Sequence, residues 1–157
     1  MKKLLLALLL VCMVLPVGSL PVYAEVPTEV SGDFDYYPVC DFPGDILGGN
    51  WFLHCTDTEN WTGDLVGTAT TEYWVIFHRS GVATFSSKGV FEGSVLGSDP
   101  GIAVFQLTGI LKAGTEEWQG TWRMGQGTDG LENAHGGGTW HGSGFSFSYE
   151  GLVHFDP

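Results

Sequence analysis

The chain has 157 residues, 43% of them hydrophobic and 15% charged, with 18 acidic residues against 6 basic ones and a formal net charge of −12. A negative excess of this size repels phosphate backbones and argues against nucleic acid as a partner. The acidity is no sign of a disordered polymer either, because aromatic residues form 13% of the chain and are spread along it.

The first residues read as an export signal. Lys2 and Lys3 precede an apolar run from Leu4 to Val17, and Val22-Tyr23-Ala24 has the form of a small-residue cleavage site. Such a segment is too short and wrongly flanked for a stable membrane span. Residues 1–24 are therefore expected to be removed after Ala24, leaving a secreted chain without stable membrane insertion. Cys12 does not read as a lipid-attachment site, since Val11 stands where a small residue is required. The mature remainder keeps Arg79, Lys88, Lys112 and Arg123 against all 18 acidic residues, a net charge of −14. It also keeps two cysteines, Cys40 and Cys55. Neither belongs to a C-x-x-C motif, and an exported pair is expected to form one disulfide. Closing a loop of that length contributes about 3 kcal/mol by chain-entropy reasoning.

Residues 25–45 begin with the acidic, proline-bounded "EVPTEVSGDFDYYP" and are expected to form an arm or linker. From residue 46 to 157 glycine recurs every few positions and apolar residues alternate between. In "FSFSYEGLVHF", Phe145, Phe147, Tyr149, Val153 and Phe155 fall on one face and Ser146, Ser148, Glu150 and His154 on the other, the period of a strand. Turns are expected at "HRSG", "LGSDPG", "AGTEE" and "GSG". Strands are expected near 50–57, 64–78, 82–95, 102–113, 117–126, 138–142 and 145–155, and no segment after the signal has a helical period. The predicted fold class is all-β, a single antiparallel up-and-down barrel of about eight strands, with a β-sandwich as the alternative. Closure removes exposed strand edges, and glycine within strands relieves crowding in a strongly coiled sheet.

Four stretches carry a resemblance: "WTGDLVGT", "GVFEGSVLGSDPG", "GTDGLENAHGGGTWHG" and the closing "YEGLVHFDP". In this order they resemble the allene oxide cyclase-like barrel superfamily, within it most nearly the uncharacterised exported bacterial proteins of the DUF3224 type, with dirigent proteins more distant. Asp129 stands where the pattern carries the middle glycine of its "GTG" turn. The resemblance implies a small barrel over residues 50–157 and transfers no catalytic residue.

The polar loop "GTDGLENAHGGGTWHG" supplies most of the candidates for chemistry. Glu132, His135 and His141, with Glu150 on the last strand, are the catalytic candidates, since a carboxylate dried by a barrel lumen or an unperturbed imidazole can move protons near neutral pH. Glu72 and Glu92 offer the same chemistry more weakly. Glu132, His135 and His141 also suit a divalent metal, with Asp129 or His154 as a further ligand, but the two histidines have neither strand nor helix pair spacing, and no metal is expected. No P-loop, nucleophile elbow or dinucleotide fingerprint is present, so no cofactor is expected. The six tryptophans are many for the length. With Tyr149 and Arg123, three of them, Trp74, Trp122 and Trp140, are the candidate ligand-binding residues. The leading expectation is a secreted barrel that binds a small apolar molecule in its lumen. The alternatives are a cyclase or isomerase acting by substrate preorganisation and a carbohydrate-binding or surface-interaction module. Inward tryptophans favour a lumen; an outward row favours sugar. Nothing in the chain requires or forbids self-association.

Overall fold

The computed structural model describes residues 26–156; the expected signal segment, with the cleavage expected after Ala24, lies outside the described residues. Nine strands follow one another: β1 (Thr28–Cys40), β2 (Asp45–Leu47), β3 (Asn50–Gly63), β4 (Leu65–Phe77), β5 (Ala83–Val95), β6 (Gly101–Leu111), β7 (Glu117–Asp129), β8 (Ala134–Ser143) and β9 (Ser146–Phe155). Each pairs antiparallel with its successor from β3 to β9, and β1 pairs with both β9 and β3. Eight strands thus close an up-and-down barrel, with β2 a short flap on the start of β3. The barrel is the expected fold; the sandwich is not formed.

The arm expected over residues 25–45 is instead the strand that closes the ring. Gly32 to Asp35 are paired on both sides, to β3 and to β9, while the rest of β1 overhangs in each direction, the stagger that a tilted closed sheet requires. Its period was masked by composition. Val30, Gly32, Phe34, Tyr36, Pro38 and Cys40 point inward, but Gly32 and Pro38 are not apolar markers, and Asp33 and Asp35 make the outer face acidic. Pro38 lies beyond Asp35, where β9 no longer runs beside β1, so its missing amide hydrogen interrupts no two-sided ladder. Cys40 and Cys55 are register partners and form the expected disulfide, fastening the end of this closing strand to β3.

A second difference concerns the glycine-rich loop. Its turn is confined to residues 130–133, and Gly136 to Gly138 belong to β8. A Cβ on Gly138 would lie 1.9 Å from the Glu150 carbonyl oxygen, so the absence of side chains there is what allows β8 and β9 to run together. Asp129, in the place of a turn glycine, takes φ +53°, a left-handed conformation that aspartate tolerates better than most residues. β3 also continues past its expected end at 57 to Gly63.

The interior is unequal along the barrel axis. At one end Trp61, Phe91, Phe105 and Trp122 pack with Leu65, Val95, Val153 and the turn residue Leu131 into a core sealed from solvent. Tyr149 donates to the Thr62 carbonyl at 3.1 Å and accepts from the Leu65 amide at 2.8 Å, fixing the β3–β4 turn across this end. The outer wall carries a polar row, Thr56, Glu72, Lys88, Gln106 and Arg123, each in register with the next across five strands. No helix among the described residues is long and apolar enough to cross a membrane.

Between the sealed end and the other lies Trp140, seated over a gap made by the register partners Gly109 and Gly120. Its Nε1–H donates to the Thr121 carbonyl at 3.2 Å. A Cβ at Gly109 would come within 2.3 Å of the Phe85 ring and 2.7 Å of the Trp140 ring. Gly109→Ala is therefore expected to destabilise the fold by about 1–3 kcal/mol in chemical denaturation, with an altered near-ultraviolet spectrum from Trp140. An unchanged midpoint and spectrum would show that the indole is not wedged in this gap.

Candidate functional site

At the opposite end the inward side chains do not meet. They leave a cavity of about 260 Å³, bounded by β1 and by each strand from β3 to β9. This is the liquid volume of roughly nine waters, enough for a small organic molecule. Its walls are mostly rings: Tyr36, Trp51, Tyr73, Phe85, Trp118 and Trp140. Phe42, 72% exposed, stands at the mouth on the β1–β2 loop. That loop is held from two sides. Trp51 Nε1–H donates to the Pro43 carbonyl at 2.7 Å. On the outer wall His54 contacts Asp41 through Nδ1 at 3.2 Å and Glu72 through Nε2 at 2.7 Å. The hydrogen bond to Glu72, then that to Asp41, raises the His54 pKa.

Two carboxyl groups reach the same cavity from β3. Asp57 and Glu59 share the inward face with Leu53, Cys55 and Trp61, and are only 7% and 3% exposed. Asp57 accepts a hydrogen bond from the Thr71 hydroxyl on β4, at 2.5 Å. Glu59 accepts one from Trp61 Nε1–H at 2.8 Å through Oε2. Among the described residues, no lysine, arginine or histidine lines the cavity. Burial without a basic partner disfavours the ionised forms. It raises Asp57 to about 6, against the pull of Thr71. Glu59 rises to about 8, with the adjacent Asp57 charge as the second cause and the Trp61 hydrogen bond opposing. The two tyrosines facing them are raised as well. For Tyr73 the causes are burial and then the charges of Asp57, Tyr36 and Glu59; for Tyr36 they are burial and then Asp57.

The residues expected to carry chemistry are placed elsewhere. Glu132 is exposed on the turn at the sealed end, and half-exposed His135 meets Asp156 at 3.3 Å, with His154 reaching the same carboxylate at 3.5 Å. His141 lies outward on β8 beside Lys112 and Gln119, and Glu150 lies outward on β9, accepting from Thr139 at 3.4 Å. The four do not converge, and no group of three or more metal-ligating side chains occurs among the described residues. Of the expected ligand-binding residues, Trp140 alone borders the cavity. Trp122 and Tyr149 belong to the sealed core, Trp74 is half-exposed on the outer wall, and Arg123 edges a shallow outer groove. The acid pair was legible in one respect: Asp57 and Glu59 have the parity of Leu53, Cys55 and Trp61. The intervening Thr56, Thr58 and Asn60 are also polar, so this part of β3 shows no contrast between faces.

A closed eight-stranded antiparallel barrel, solid at one end and hollow with two buried acids at the other, is the class of protein that fold and site define. No family model matches the chain, and no curated protein matches it. Among solved structures it is similar to a DUF3224-family protein of unknown function from Shewanella oneidensis MR-1. The TM-score is 0.71 and the identity 20%, covering 84% of this chain and 99% of that one. The likeness extends to the fold.

The carboxyl pair has a consequence for stability. Both groups have folded pKa values above their ordinary ones of 3.8 and 4.5, so between about pH 4 and 8 the folded chain retains protons that the unfolded chain has lost. This contribution favours folding most below the ordinary values and is lost as pH rises through the folded ones. The double variant Asp57→Asn, Glu59→Gln is expected to match the parent's denaturation midpoint near pH 4 and to exceed it at pH 8. Curves that stay parallel across this range would mean the pair is not held protonated by burial.

Proposed function

We propose that the protein is an extracytoplasmic binding barrel that admits one small, largely apolar molecule through its open end. The cavity carries this reading: aromatic walls, a sealed floor and two polar groups placed where they can orient a ligand. Export is supported by the signal-like first 24 residues and by the Cys40–Cys55 disulfide, since disulfides persist in oxidising compartments. Kinship with the allene oxide cyclase-like superfamily is part of the same proposal, supported by the sequence stretches that resemble it and by the closed barrel.

The two carboxyl groups favour a second reading, a cyclase or isomerase. Burial raises both carboxyls, so the pair can hold a proton near neutral pH and offer an acid and a base on one cavity wall. A carbohydrate module has less support. Trp61, Trp122 and Trp140 are buried, Trp51 and Trp118 line the cavity, and Trp74 stands on the outer wall without a second tryptophan beside it.

Naphthalene, neutral and apolar, is a suitable probe, read through the tryptophans of the cavity. The parent is expected to bind it with a change in fluorescence. Val75→Phe, which places a ring in the cavity, should weaken binding by about tenfold or more, and Trp74→Ala should leave it unaltered. Binding that is absent from the parent, or indifferent to Val75→Phe, would count against a ligand-binding lumen.

A further inference from the structure

The cavity combines features that a purely apolar ligand does not use. Glu59 lies 3% exposed and has one oxygen committed to Trp61, while Oε1 takes no hydrogen bond from the described residues. No buried side-chain polar atom among the described residues is left both enclosed and unpartnered, so this oxygen opens onto the cavity. Asp57 stands two residues away on the same face, and its bond from Thr71 engages Oδ1. Rings line the cavity that the pair faces, and no positive side chain among the described residues lines it. Carboxylates without a basic partner, enclosed by aromatic faces, form an environment that lacks a cation.

We propose that the ligand is a small organic cation, an arylalkyl amine whose ammonium group seats between Asp57 and Glu59 and whose apolar part lies against the cavity rings. The inference rests on the binding-barrel reading and specifies the ligand class. Alternate residues on a strand are about 7 Å apart at the backbone. Charged hydrogen bonds of about 2.8 Å on either side of a nitrogen span at most about 5.6 Å, so one ammonium reaches both carboxylates when the two side chains lean toward it. The rings of Tyr36 and Tyr73, close enough to feel the charge of Asp57, add cation–π attraction, which is strongest where water is excluded. The groups that face the pair from neighbouring strands are Tyr36 of β1 and Thr71 and Tyr73 of β4, none of which carries a positive charge. Volume sets the size limit, since about 260 Å³ holds a single ring with a short chain. The mouth assists entry. Asp41, Asp45, Glu116 and Glu117 lie on the loops and strand ends of the open end, against Arg79 and Lys112, and Lys112 is paired with Glu117 at 3.9 Å. A negative rim on a strongly acidic protein raises the local concentration of cations.

The test compares 2-phenylethylamine with 2-phenylethanol, its neutral counterpart, and with 3-phenylpropanoate, its anionic one. Binding is followed by calorimetry on the disulfide-bonded mature protein. At pH 8 the amine is expected to bind about tenfold or more tightly than the alcohol, and the carboxylate not at all. Between pH 8 and 5 the affinity for amine should fall as protons compete for the pair, while that for alcohol does not fall. Glu59→Gln and Asp57→Asn, each checked for a native near-ultraviolet spectrum, should abolish the preference for amine over alcohol, and Trp74→Ala on the outer wall should keep it. Equal or weaker binding of the amine, or a preference that survives both substitutions, overturns the cation assignment while leaving the binding barrel in place. Failure of all three probes and of naphthalene removes the binding barrel, and the cation assignment with it.

Discussion

The pairing of β1 with β3 governs everything that follows in this molecule. Once Cys40 faces Cys55 and Phe34 faces Trp61, the parity of β3 is fixed, because a slip of one residue would turn every side chain to the opposite wall. The apolar members of the inward set, Leu53, Cys55 and Trp61, select this register, and Asp57 and Glu59 are carried inward with them. The disulfide fastens the register at the end of β1 that β9 does not reach. Two acids are therefore buried as a consequence of barrel closure, and the cavity they face exists because the same closure curves β3 around it.

The sealed and hollow ends differ in how glycine and aromatic residues are matched. In the sealed half and at its border, a large ring is regularly set against a position without a side chain: Tyr149 against Gly32, Trp122 against Gly151 and, at the border, Trp140 against Gly109 and Gly120. Such matches let eight strands close around bulky residues at ordinary packing density. In the hollow half the inward positions of β3 and β4 include Asp57, Thr71, Tyr73 and Val75, and a cavity of about 260 Å³ remains beside them. The tryptophans at this end, Trp51 and Trp118, stand at the rim and leave the centre clear.

The barrel could be read from the sequence because its long strands from β4 to β7 alternate cleanly and end at recognisable turns. The disulfide could be read because only two cysteines follow the signal-like first 24 residues. The closing strand could not, since "VSGDFDYYPVC" places glycine and proline among its inward residues and aspartate opposite, which imitates a linker. The site was hidden for a related reason. In "CTDTENW" both faces are polar, and the decision between them is made by tertiary pairing to a strand that was itself unrecognised. The histidine-rich loop drew attention because its residue types are those of catalytic sites, yet β8 distributes His135 and His141 to different ends of the outer wall. Residue type identifies chemical capacity; convergence depends on parity and register.

Stability alone gives no reason for Asp57 and Glu59 to be acids. A buried carboxyl pair without a basic partner costs folding energy above the ordinary carboxylate range, and neutral residues of the same shape would avoid that cost. The protein contains the means to hold the pair, with Thr71 donating to one and Trp61 to the other, but these bonds stabilise the charged forms and do not neutralise them. What remains is an excess of negative potential confined to an aromatic chamber that opens to solvent at one end. Such an arrangement is uphill when empty and is relieved by anything that brings a proton or a positive charge to the pair. A protonated pair offers hydrogen-bond donors to a neutral ligand; an ionised pair offers a counter-charge to a cation. The choice between them is set by pH and by what enters the barrel, and that dependence is the chemical content of the site.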